Sequence, residues 1–147
     1  MRNDAYVNVS IKYPPNNRTI LLCDYSKGRA IDPEMKKRRA AIVLVSALPY
    51  RPSLCTVVQL SGTEPVHKVN YVVRIELGEP LPPPFQQEIW WAKCDMSSSV
   101  SFERLDLFRT ERNQYGRRRY LQPVLPEADF SRVRNGVLCG FGFGNLT

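Results

Sequence analysis

The run Glu34-Met35-Lys36-Lys37-Arg38-Arg39-Ala40-Ala41-Ile42-Val43-Leu44-Val45-Ser46 decides how the chain folds. Its second half, Ala40–Ser46, is β-branched and continuously apolar, the pattern of a strand covered on both faces. Its first half belongs to Ser26–Lys37, where Gly28, Pro33 and mixed charge signal a loop. A sequence organised around such a strand needs partners on both sides, and the flanking segments supply them. Thr19–Tyr25 reads as a strand before it, and Leu54–Ser61 as a strand after it, ending in Ser61-Gly62. In Asn70–Leu77, Tyr71, Val73, Ile75 and Leu77 alternate with Val72, Arg74 and Glu76, as a half-buried strand requires.

A turn region carrying Pro80, Pro82, Pro83 and Pro84 follows, and then a strand over Glu88–Asp95. Ser97–Ser99 and Phe102–Phe108 read as connections to the basic turn Gly116-Arg117-Arg118-Arg119, which leads into a strand over Tyr120–Val124. Only the C-terminus reads as a helix. Pro126 suits the first helical position, Glu127 and Asp129 suit the positive end of the dipole, and Phe130, Val133, Val137, Leu138 and Phe141 recur near helical spacing. Strands without alternating helices point to a mainly β (α+β) fold, a small antiparallel barrel with a C-terminal helix. Residues 1–17, polar and closing on Pro14-Pro15-Asn16-Asn17, read as a lead-in; residues 18–147 read as one domain.

Lys and Arg outnumber Asp and Glu by 21 to 14, a net charge of +7 that favours a polyanionic partner, nucleic acid or an acidic protein segment. Cys23, Cys55, Cys94 and Cys139 lie far apart and His67 is the single histidine, so the spacing of a Cys/His zinc site is missing. The cysteines read as buried core thiols of a reducing compartment. There is no basic-then-apolar leader pattern and no apolar stretch of membrane-spanning length, so the expectation is a soluble cytoplasmic protein without metal or cofactor.

Two places set cations beside a carboxylate: Glu34–Arg39 and Lys93-Cys94-Asp95. Such a pair can cut RNA without a metal, the base taking a proton from a ribose 2′-hydroxyl while the cation neutralises charge building on the phosphate. Lys93 and Asp95 stand two apart on a strand, so both leave one face and suit either a shared site or a surface ion pair. Trp90 and Trp91 leave opposite faces, so at most one can line a groove.

In this order the motifs resemble the PemK/MazF-type toxins of bacterial toxin–antitoxin pairs. The resemblance runs from about Tyr13 to Thr147. It rests on Ile20–Tyr25, a strand ending in Asp plus an aromatic; Glu34 with Arg39 before Ala40–Ser46; Cys55–Ser61; Lys93-Cys94-Asp95; and a helix opening with Pro-Glu. Ala40 stands where the pattern has proline, Ser61 where it has threonine, and Lys93 where it has arginine. The resemblance implies an SH3-like or CcdB-like barrel and a metal-independent endoribonuclease. It would cut single-stranded RNA to 2′,3′-cyclic phosphate and 5′-hydroxyl ends.

Arg39 would stabilise the transition-state phosphate, with Arg38 as competitor for that place. Asp95 would be the base, Ser61 would bond a phosphate oxygen, and either Lys93 or Arg39 would protonate the leaving oxygen. Glu34, Lys37, Arg38, Gly62, Trp91, Arg117 and Arg118 are the candidates for RNA contact. The resemblance further implies a homodimer with RNA in a groove across both subunits, and an antitoxin whose disordered acidic tail fills that groove. The alternative is a non-catalytic member of the same fold, a topoisomerase poison or a nucleic-acid- or protein-binding module.

Overall fold

The computed structural model describes residues 10–26, 37–110, 114–117 and 119–147. Six strands form one antiparallel sheet: β1 (Ile20–Asp24), β2 (Arg38–Val45), β3 (Leu54–Ser61), β4 (Val72–Glu76), β5 (Ile89–Ser101) and β6 (Leu105–Asp106). Their order across the sheet is β4-β5-β3-β2-β1-β6. β7 (Phe108–Arg109) and β8 (Tyr120–Leu121) pair as a separate two-stranded ribbon, and α1 (Glu127–Gly140) is the long helix. The expected β-rich fold with a C-terminal helix is present, but among the described residues the ladder does not close into a barrel: β4 and β6 remain as its two edges.

The sheet buries apolar side chains on both faces, which is why Ala40–Val43 is apolar without alternation. On one face Ile20, Leu22, Ala40, Ile42, Val58, Leu60, Ile75, Trp90, Ala92 and Cys94 pack under Phe130, Val133 and Val137 of α1. On the other, Leu21, Cys23, Tyr25, Ala41, Val43, Cys55 and Val57 pack with Val100, Phe102 and Leu105 from the end of the sheet that folds over them. Of the lead-in, residues 10–17 are described; Ile11 packs against this second core and its N–H donates to the Leu105 carbonyl.

Two helical glycines set how close α1 lies. A side chain at Gly136 would press on the Cys94 Sγ and Val73, and one at Gly140 would press on the Asp95 backbone. Arg132 then ties the helix to edge strand β4, donating to the Arg74 carbonyl at 3.0 Å while pairing with Asp129 at 2.7 Å.

β5 departs most from the sequence reading. It does not stop at Asp95 but runs on through Ser97–Ser99 to Ser101. The strand survives its serines because β3 supplies a ladder for both halves: Gln59 to Ser61 pair with Lys93 to Trp91, and Leu54 to Val57 pair with Ser101 to Ser98. Between the two halves the register jumps, leaving Cys94–Ser97 as a bulge. The strand expected over Tyr120–Val124 is shorter, ending at Leu121, with Val124 making a lone bridge to Thr19. No helix among the described residues is long and apolar enough to cross a membrane.

Candidate functional site

Register decides which polar side chains meet. Ala41 on β2 sits opposite Gln59 on β3, Gln59 opposite Lys93 on β5, and Lys93 opposite Val72 on β4. One step along, Ser61 sits opposite Trp91, and Trp91 opposite Arg74. The β2–β3 register, carried on by two residues, brings Arg39 level with Ser61. Alternation along each strand then sends Arg39, Gln59, Ser61, Trp91, Lys93 and Arg74 to one face. Their neighbours Ala40, Leu60, Ala92 and Cys94 go to the helix side. Arg39, Ser61, Lys93 and Trp91 are thus brought together, at the polar end of the face that holds the second core.

Arg38 leaves the opposite face. It lines a cleft of about 450 Å³ with Leu22, Pro82, Phe85, Asp106 and Arg109. There Asp106 is paired with Arg109 at 2.7 Å, and burial raises its carboxyl above the ordinary value against the pull of Arg109, the Leu107 N–H and Arg38. Trp90 is a core residue at 3% exposure, its indole N–H bonded to the Gln87 carbonyl at 3.1 Å, whereas Trp91 is half-buried on the site face.

Asp95 is not brought in. It lies in the β5 bulge, exposed, with its backbone against Gly140 of α1. Neither Asp95 nor Lys93 has an ion pair among the described residues. Two strands and four residues separate Asp95 from Arg39, on the order of 15 Å by strand spacing and rise. Lys37 is exposed immediately before β2, its carbonyl accepting the Tyr25 N–H, and Arg117 is exposed at the tip of the β7–β8 ribbon. Glu34 and Arg118 lie outside the described residues.

Ser61 is 8% exposed, and its hydroxyl accepts the Thr63 N–H at 3.2 Å, which leaves its own proton for another acceptor. Beside it, the space a side chain would fill at Gly62 is occupied by the Gln87 carboxamide. The close backbone approach expected at Gly62 is therefore open only when Gln87 swings away.

Next to Arg39, burial and then the adjoining Cys23 hold the Tyr25 phenol far above its usual range, while the Arg39 guanidinium pulls the other way. Three polar atoms on this face are buried without a hydrogen-bond partner among the described residues: Arg39 Nε, Gln59 Oε1 and the Tyr25 hydroxyl. Gln59 and Gln87 carry no mark in the sequence reading, and Tyr25 enters it only as the aromatic that closes the first motif strand. A glutamine two residues before Ser61, inside an apolar strand, was the signal available for the first. No cluster of His, Cys, Asp and Glu suited to a metal ion exists among the described residues.

No protein-family model matches the sequence. Over 129 residues the chain is 31% identical to the uncharacterised protein YifN of Escherichia coli (strain K12), spanning 86% of this chain and 80% of YifN. The fold is similar to that of MazF from Deinococcus radiodurans, with TM-score 0.59, 15% identity, and coverage of 89% of this chain and 99% of MazF. It is also similar to an endoribonuclease in complex with its cognate antitoxin from a mycobacterial species, with TM-score 0.56, 13% identity, and coverage of 87% and 95%.

Proposed function

Because the chain belongs to the same family as YifN and has the fold of the MazF-type endoribonuclease toxins, we propose that it is itself an endoribonuclease toxin. It cleaves single-stranded RNA by attack of the 2′-oxygen. The observation that carries this reading is the meeting of Arg39, Ser61 and Lys93 on one face, beside Trp91. The Arg39 guanidinium, always charged, holds the scissile phosphate and takes up the extra charge of the transition state. The Ser61 hydroxyl donates to a non-bridging oxygen.

The new bond joins the 2′-oxygen to phosphorus, and the bond from phosphorus to the 5′-oxygen breaks. The 2′-hydroxyl proton passes to solvent at the open face. The Lys93 ammonium gives its proton to the departing 5′-oxygen and is recharged from water. Asp95, standing apart at the bulge, has no proton-transfer step in this scheme. The products are a 2′,3′-cyclic phosphate and a 5′-hydroxyl.

By family resemblance the working unit is a homodimer with RNA across both subunits. Its antidote is an antitoxin with an acidic disordered tail, which the +7 charge suits. The test is digestion of mixed-sequence RNA in excess chelator, followed by end-group analysis. Cyclic phosphate ends lost in Arg39→Ala support the reading; intact RNA with the wild-type protein refutes it. A second reading, a binding-only protein of the same fold, draws on the separation of Asp95 from Arg39. Growth arrest in cells whose RNA stays intact would favour it.

A further inference from the structure

Gln59 is deeply buried on the site face, at 3% exposure, and its Oε1 has no hydrogen-bond partner among the described residues. It lies in a run of apolar strand residues, Val57-Val58-Gln59-Leu60, where packing alone calls for another Val or Leu. Burying an amide oxygen unpaired is costly, so its presence at this position points to a group that completes it. Arg39 Nε, a buried donor equally without a partner, stands diagonally across on β2, and the two are not bonded to each other. Lys93 sits opposite Gln59, and Trp91 is its diagonal neighbour. The carboxamide is thus framed by the cations proposed to act on the phosphate and its leaving oxygen, and by a half-buried indole with a face for stacking.

We propose that Gln59 reads the base next to the scissile phosphate, its carboxamide bonding the base edge while Trp91 supplies the stacking surface, and that the base it selects is adenine. A carboxamide offers an acceptor and a donor side by side, the complement of the adenine N6 amine and N7. Its terminal torsion is broad, so the oxygen and nitrogen can turn to meet that edge. The inference rests on the nuclease reading for the phosphate's position, and it assigns the specificity that the reading leaves open.

The experiment compares wild-type protein with Gln59→Met, close in volume but without a hydrogen-bonding group, on RNAs that differ only in the base flanking one cleavable phosphate. Wild type is expected to prefer adenine by about tenfold, and Gln59→Met to cut all four within about twofold of one another. An unchanged preference in Gln59→Met, no base preference in wild type, or preference for another base would overturn the proposal. Melting curves accompany both proteins, and Gln59→Ala is read the same way should Gln59→Met fail to fold. Should wild type cut nothing, the nuclease reading falls by itself. Base reading is then decided on binding of uncleavable 2′-deoxy oligonucleotides: an adenine preference lost in Gln59→Met sustains it, and equal binding of all four bases overturns it.

Discussion

Arg38 and Arg39, consecutive in the chain, leave β2 on opposite faces of the sheet, Arg38 beside Asp106 and Arg109, Arg39 level with Ser61. Choosing between them therefore means choosing a face. Arg39→Ala is expected to slow RNA cleavage by about a hundredfold or more, the usual loss when a transition-state donor is removed. Arg38→Ala is expected to stay within about threefold of wild type, since it is screened from the reacting phosphate by the sheet itself. Initial rates on a fluorogenic RNA measure both, and the reverse ranking would move the site to the Arg38 cleft.

Lys93 and Asp95 separate in the same way. A true general base costs about a hundredfold to ten-thousandfold when neutralised. Asp95→Asn is expected to cost no more than about threefold, whereas Lys93→Ala loses more than about tenfold and Lys93→Arg recovers part of it. The rate against pH supplies a second check: Asp95→Asn leaves its acid limb where wild type has it.

The seat of α1 on β5 tests the fold. Gly140 faces backbone atoms of Asp95, which cannot turn aside, while Gly136 faces the Cys94 side chain and a Val73 methyl. Gly140→Ala should lower stability by about 1–3 kcal/mol, as overpacking does. Gly136→Ala should be partly rescued by Cys94→Ala, which removes the opposing sulfur. Urea unfolding of the single and double variants reads the coupling.

The buried thiols make a prediction about alkali. Burial pushes Cys23 and Cys55 up to about 11 and Cys94 to about 12, from an ordinary 9.0. At pH 8 a thiol at 11 is ionised in about one molecule in a thousand, so a thiol reagent should label the half-buried Cys139 first and these three only on unfolding. In the unfolded chain they ionise near 9.0, so the folded state is favoured fully below that and loses stability as pH rises toward about 11. Unfolding midpoints between those values should fall less steeply in Cys94→Ala than in wild type.

Much of the fold is legible in the sequence, and what is not has physical causes. The sequence places β3 at its observed bounds, Leu54–Ser61, because Val57, Val58 and Leu60 end on a clear Ser-Gly stop. The sequence ends β5 at Asp95 because three serines look like a connection; the ladder along β3 that holds them is non-local and leaves no trace in the serines themselves. The sequence favours Arg39 but leaves Arg38 as its competitor, since a strand covered on both faces has no alternation to set its phase. The remoteness of Asp95 from Arg39 follows from the register, which sets Arg39 level with Trp91, four residues before Asp95. Gln59 passed unnoticed because a single polar residue does not disturb an otherwise apolar strand.

β5 serves two masters. Its first half presents Trp91 and Lys93 to the site, and its second half carries Val100 into the second core. Insertion or deletion of one residue between them would turn the tryptophan and lysine toward the helix, or else the valine toward water. An engineer retuning this scaffold can vary side chains along that ribbon but not its length. New reach has to come from the connection between β3 and β4, within residues 64–70, where added residues disturb neither half.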